Sequence, residues 1–109
     1  MKVYISLPIS GLDLEVQKLV AEQAAERIRA MGDEPVNPFD VPYPPNVCSL
    51  TEEQLWAYYM GRDIEQLLLC DAVYFCPDWQ KSKGCSIEYL IAIFTKKEIL
   101  FNSDFIHRR

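Results

Sequence analysis

Four short runs of strand-forming residues alternate with three stretches of helical periodicity, and this alternation limits the fold more than any other feature of the chain. Residues 2–7, KVYISL, are rich in strand formers and are closed by Pro8 and Gly11. Over 13–31, apolar Val16, Leu19, Val20, Ala24, Ile28 and Met31 recur at helical spacing, with Glu15, Lys18, Glu22, Glu26 and Arg29 between them and Gly32 as the stop. A brief second strand at 34–37 runs into PFDVPYPPNVCSL, whose four prolines exclude helix and central strand and predict a long loop. Thr51-Glu-Glu-Gln54 has the form of a capping box, so a helix is expected over 52–69. A strand at 72–76, a helix at 85–95 and a strand at 98–101 complete the pattern.

Strands joined through helices run parallel and are covered on both faces. With right-handed crossovers and strand order 2-1-3-4, the expected architecture is an α/β three-layer sandwich, Rossmann-like or flavodoxin-like, around a small parallel sheet. The 109 residues make one domain of 1–109, long enough to bury about two thirds of the surface of the unfolded chain. In that order the winding reverses between strands one and three, which opens a crevice at their carboxyl ends. Two loops reach it: SLPISG, with Ser6, Pro8, Ser10 and Gly11, and CPDWQKSKG, with Trp79, Lys81, Ser82, Lys83 and Gly84.

A net charge of −5 disfavours nonspecific binding to a nucleic acid polymer, which depends on cations displacing counterions from phosphates. Cys48, Cys70, Cys76 and Cys85 form no CxxC pair and have no histidine at ligand spacing, His107 being in the tail, so no metal or other cofactor is implied. They read as reduced thiols of a cytoplasmic protein. The start MKVYISLPISG lacks the apolar core of a signal peptide and no later run spans a bilayer, so no membrane association is expected.

Three features converge on the crevice. KSKGCS ends a loop and begins a helix, where amide groups, Ser82, Ser86 and the ammonium groups of Lys81 and Lys83 can hold an anion; a solvated turn is the plainer reading. Glu88 falls in the first turn of that helix, where the dipole favours a carboxylate whatever its role, yet its neighbours Ile87, Leu90, Ile91, Ala92 and Phe94 leave little polar surface to hold it. Asp63 shares a helical stripe with Tyr59 and Leu67, turned inward, with a salt bridge to Arg62 as the alternative. Asp71 suits a structural hydrogen bond at the helix-to-strand turn. Tyr4 is placed to lend its hydroxyl to Glu88 or to serve as core, and Trp79, Trp56, Tyr43 and Phe39 to sandwich a planar base or to pin the loops.

The pattern VYISLPISG … YYMGRDIEQLLLCDAVYFCPDWQKSKGCSIEYLIA resembles the nucleoside 2-deoxyribosyltransferase superfamily, especially its small phage and bacterial members, over nearly the whole chain. The resemblance implies that Glu88 is the nucleophile at the anomeric carbon, Tyr4 its positioning partner, and Asp63 the group that contacts sugar or base and assists departure. It also implies a small-molecule nucleotide or nucleoside partner and a homo-oligomer packed through the second and third helices, with Trp56, Tyr58 or Tyr59 at the contact. Transferases acting on free nucleosides carry aspartate six residues before the nucleophile and nucleotide N-hydrolases carry serine; here it is Ser82, which favours a 5′-monophosphate. Leu7 stands where a glycine is usual and is expected to crowd the ligand, and Asn102 and Ser103 are the substitutes for a C-terminal segment that completes a neighbour's site. The expected activity is cleavage or transfer of the N-glycosidic bond through a glutamyl-sugar intermediate. A nucleotide-binding or sensing module without turnover is the alternative, and a purely structural domain the third.

Overall fold

The computed structural model describes residues 1–42 and 44–102, so Tyr43, Ser103 and His107 lie outside the described residues. Four strands, β1 (Lys2–Ser6), β2 (Glu34–Val36), β3 (Ala72–Phe75) and β4 (Glu98–Phe101), alternate with α1 (Leu14–Ala30), α2 (Glu52–Leu68) and α3 (Lys83–Phe94). The sheet is parallel throughout in the order β2-β1-β3-β4, with Tyr4 opposite Val73 and Ser6 opposite Phe75. This is the expected Rossmann-like arrangement. Asp71 stitches the start of β3 to β1, its Oδ2 accepting from the Lys2 amide at 2.9 Å.

Alternation along the strands divides the core between the two faces of the sheet. Val3, Ile5, Leu7, Tyr74, Cys76 and Leu100 pack with Ala21, Ala24, Ala25 and Ile28 of α1. Tyr4, Val73 and Phe75 point the other way, toward Leu67 and Ala92 of α2 and α3. The consequence for Leu7 is that its side chain is buried beneath α1 rather than crowding the crevice.

α1 buries a face rotated from the expected one. Gln17, Ala21, Ala24, Ala25 and Ile28 are its buried residues, whereas Val16, Leu19 and Met31 are exposed. Short alanines let the helix sit close to the sheet, and the Gln17 amide is held by donating to the Pro8 carbonyl. Gly32 ends the helix with φ +84°, donating its amide to the Arg29 carbonyl at 2.9 Å.

The capping box of α2 is present in full: Thr51 Oγ1 accepts from the Gln54 amide at 3.1 Å, and Gln54 Oε1 accepts from the Thr51 amide at 2.9 Å. The proline-rich connection contains two 3-10 turns, Pro38–Asp40 and Val47–Ser49, and Tyr58 Oη ties it to α2 by donating to the Pro42 carbonyl at 3.2 Å. α3 begins two residues earlier than expected because Ser82 caps it, its Oγ accepting from the Cys85 amide at 3.2 Å. Glu88 therefore sits in the second turn, away from the amide groups that would favour a carboxylate for local reasons alone. No helix among the described residues is long and apolar enough to cross a membrane.

Candidate active site

Tyr4 and Ser6 are two residues apart on β1, so both side chains leave the same face of the sheet, and α3 lays Glu88 across them. Tyr4 Oη donates to Glu88 Oε2 at 2.8 Å and Ser6 Oγ donates to Oε1 at 2.6 Å. Glu88 is 4% exposed, and Tyr4 and Ser6 are buried with it. Each carboxylate oxygen thus has a hydroxyl donor, and burial demands such partners of a charge. Burial raises the Glu88 pKa, while the Ser6 and Tyr4 hydrogen bonds oppose the rise.

Asp63 enters from α2 under opposite conditions. Its Oδ1 is sealed from solvent and has no hydrogen-bond partner among the described residues. Arg62 does not supply one, because its guanidinium pairs with Glu65 at 3.3 Å. Loss of water, and next the charge of Glu88, push the Asp63 carboxyl up to about 7. The two acids thus sit in unequal surroundings: each oxygen of Glu88 has a hydroxyl donor, and Asp63 Oδ1 has none. Burial, then the charges of Glu88 and Asp63, also drive the Tyr4 phenol well above its usual range, so it remains a donor.

Cys85 belongs to the same cluster, although composition alone marked it only as a thiol. It lies one helical turn before Glu88 on the buried side of α3. The i, i+3 spacing from Glu88 was the available signal. Ser82 thus stands at the rim, engaged with the Cys85 amide. Gly84 lies where a Cβ would approach Met60 Sδ at 3.2 Å, so the α2–α3 contact leaves little room for a larger residue.

The other candidates are dispersed. Lys83 Nζ lies 4.8 Å from the centre of the Trp56 ring, and Lys81 Nζ, on an exposed side chain, is 3.6 Å from Asp78 Oδ1. Pro8 is buried, whereas Ser10 and Gly11 are exposed, with Gly11 at φ +77° in the turn that leads to α1. Trp79 stacks on Tyr89 at 4.7 Å and contacts Phe75 and Phe101, a ring cluster that packs the α3 side of the sheet. Asn102 lies with the α1 side, accepting from Tyr74 Oη at 2.7 Å and from Arg27. A cavity of about 500 Å³ opens on another flank of α2, lined by residues that include Asn37, Asp40, Tyr58, Arg62 and Gln66 but neither carboxylate.

A family described as a domain of unknown function (DUF4406) matches residues 1–101. Comparison with curated proteins gives no match. Among solved structures, the fold is similar to that of a 2-deoxyribosyltransferase from the psychrotolerant bacterium Bacillus psychrosaccharolyticus, with a TM-score of 0.69 and 20% identity, over 93% of this chain and 71% of that one.

Proposed function

This chain belongs to the DUF4406 family, and we propose that it cleaves or transfers the N-glycosidic bond of a nucleoside 5′-monophosphate through a glutamyl-sugar intermediate. The observation that carries the reading is the unequal carboxyl pair: Glu88 braced by two hydroxyls, Asp63 buried without a donor. An oxygen of Glu88 attacks the anomeric carbon as the bond to the base breaks, and the departing base takes its proton from Asp63. The resulting Asp63 carboxylate then accepts a proton from water, whose oxygen displaces Glu88 from the sugar; a second base in place of water gives transfer. Tyr4 holds the nucleophile, and Ser82 with Gly84, Lys83 and Lys81 receives the phosphate at the start of α3, where the first helical amides lack intrahelical partners. Ser6, Pro8, Ser10, Gly11 and Trp79 complete the proposed substrate surroundings. The likeness to a 2-deoxyribosyltransferase fold supports this chemistry.

The test is incubation with ribo- and deoxynucleoside 5′-monophosphates, followed by chromatography for free base. Release that is faster below about pH 7 than above it is expected, because Asp63 loses its proton there. A nucleotide-binding module that keeps the crevice without turnover is the second reading, favoured by the two hydroxyls that already occupy both oxygens of Glu88. Ligand-dependent thermal stabilisation with no base released supports that reading.

We place self-association on the outer face of α3 rather than on the tyrosines of α2. Leu90, Ile93 and Phe94 are 55%, 47% and 82% exposed at i, i+3, i+4 spacing, whereas Tyr58 and Trp56 make contacts within the chain. Light scattering should give a dimeric or larger mass that falls to the monomer in Phe94→Glu; a monomeric unsubstituted chain overturns the placement.

A further inference from the structure

Glu88 is buried, and so is Asp63 Oδ1, yet the two carboxyls are not held alike. The difference between them is in donors. Glu88 accepts from Tyr4 and Ser6, and the Ser6 bond is the shorter of the two. Ser6 is fully buried on a central strand, so its hydroxyl has no water to turn to. A serine hydroxyl carries one proton. That proton is directed to Glu88 Oε1 at 2.6 Å.

We propose that Ser6 is a positioning residue whose hydroxyl holds the buried Glu88 carboxyl in its ionised form, a support that Asp63 lacks. The titratable groups facing Glu88 are Tyr4 from β1, Asp63 from α2 and Cys85 from α3, and β3 adds only the apolar Val73 and Phe75. None of them brings a positive charge, so hydroxyl donation is what separates the two carboxyls. The catalytic meaning of this assignment rests on the glycosidase reading, but the ionisation of Glu88 is a property of the folded protein by itself.

Carbon-13 NMR of the labelled Asp and Glu carboxyls, followed against pH without substrate, reads that ionisation. In the unsubstituted protein the Glu88 carboxyl should titrate first and Asp63 near neutrality. Ser6→Ala should raise the Glu88 midpoint by ~1–2 pH units, the usual effect of removing a hydrogen bond to a buried charge. Ser6→Thr, which keeps the hydroxyl, should restore it. Ser6→Cys changes the packing least and replaces the hydroxyl by a weaker donor, so it should shift the midpoint in the same direction, and it decides the matter if Ser6→Ala does not fold. A Glu88 midpoint that moves by less than about half a unit in the folded Ala or Cys variant overturns the proposal. If base is released with dependence on Glu88 but Ser6 substitution leaves the titration unchanged, this inference falls alone. If the titration shifts and no nucleotide is ever cleaved, the glycosidase reading falls and the assignment to Ser6 stands.

Discussion

Glu88→Gln is expected to lower base release from a nucleoside 5′-monophosphate by on the order of 10³-fold or more, the scale seen when a nucleophile is removed. The side chain is nearly the same shape: its carbonyl still accepts from one hydroxyl, and its NH₂ donates to the oxygen of the other, whose own proton loses its carboxylate acceptor. What it lacks is the charge that attacks carbon. Burial is the largest influence on the Glu88 pKa, so removing the charge also removes a desolvation cost, and the variant should melt no lower than the parent. Loss of activity then cannot be ascribed to loss of fold. Glu88→Asp keeps the charge but withdraws it by one methylene, and a misplacement of that order costs about 10²-fold. Rapid turnover by Glu88→Gln would remove the nucleophile assignment and leave the binding module as the better account.

The second large effect is on stability. Asp63 titrates near 3.8 when solvated and at about 7 in the fold, so between those values the folded chain holds a proton that the unfolded chain has released. The associated stability is fully present below about pH 4 and is lost as pH rises to about 7. A shift of that size corresponds to at most about 4 kcal/mol, and partial solvent access reduces the expected figure to roughly 1–3 kcal/mol. Asp63→Asn mimics the protonated acid at every pH. Its melting temperature should match the parent near pH 4 and exceed it by about 5 °C or more at pH 8. The same substitution should slow base release by removing the acid. Greater stability with less activity is the expected mark of a group kept for function. A difference in melting temperature that does not vary with pH would show that Asp63 is not held protonated by its surroundings.

The expected element order survives in the structure because the signals behind it are local. Thr51 and Gln54 cap α2 within one turn, Gly32 stops α1, and strand formers bounded by Pro8 and Gly11 mark β1. The expected face of α1 holds in part: Ala24 and Ile28 are buried and Val20 packs against the core, whereas Val16, Leu19 and Met31 are exposed. Hydrophobicity ranks Val16 and Leu19 above Ala21 and Ala25, whereas closeness to the sheet selects the small residues. α3 starts at Lys83 because Ser82 caps it, and a short side chain that caps a helix looks the same in sequence as one that binds an anion.

The sequence by itself determined that strands and helices alternate and that the sheet is parallel, since these follow from periodicity, chirality and short connections, and it left Tyr4 open between a partner of Glu88 and plain core. Only the tertiary structure decided that Ser6 and Tyr4 each take one oxygen of Glu88 and that Asp63 Oδ1 is left without a donor among the described residues. Hydrogen bonds depend on distance and angle within a few tenths of an ångström, and residues 82 and 84 positions apart acquire that relation only when α3 packs across β1.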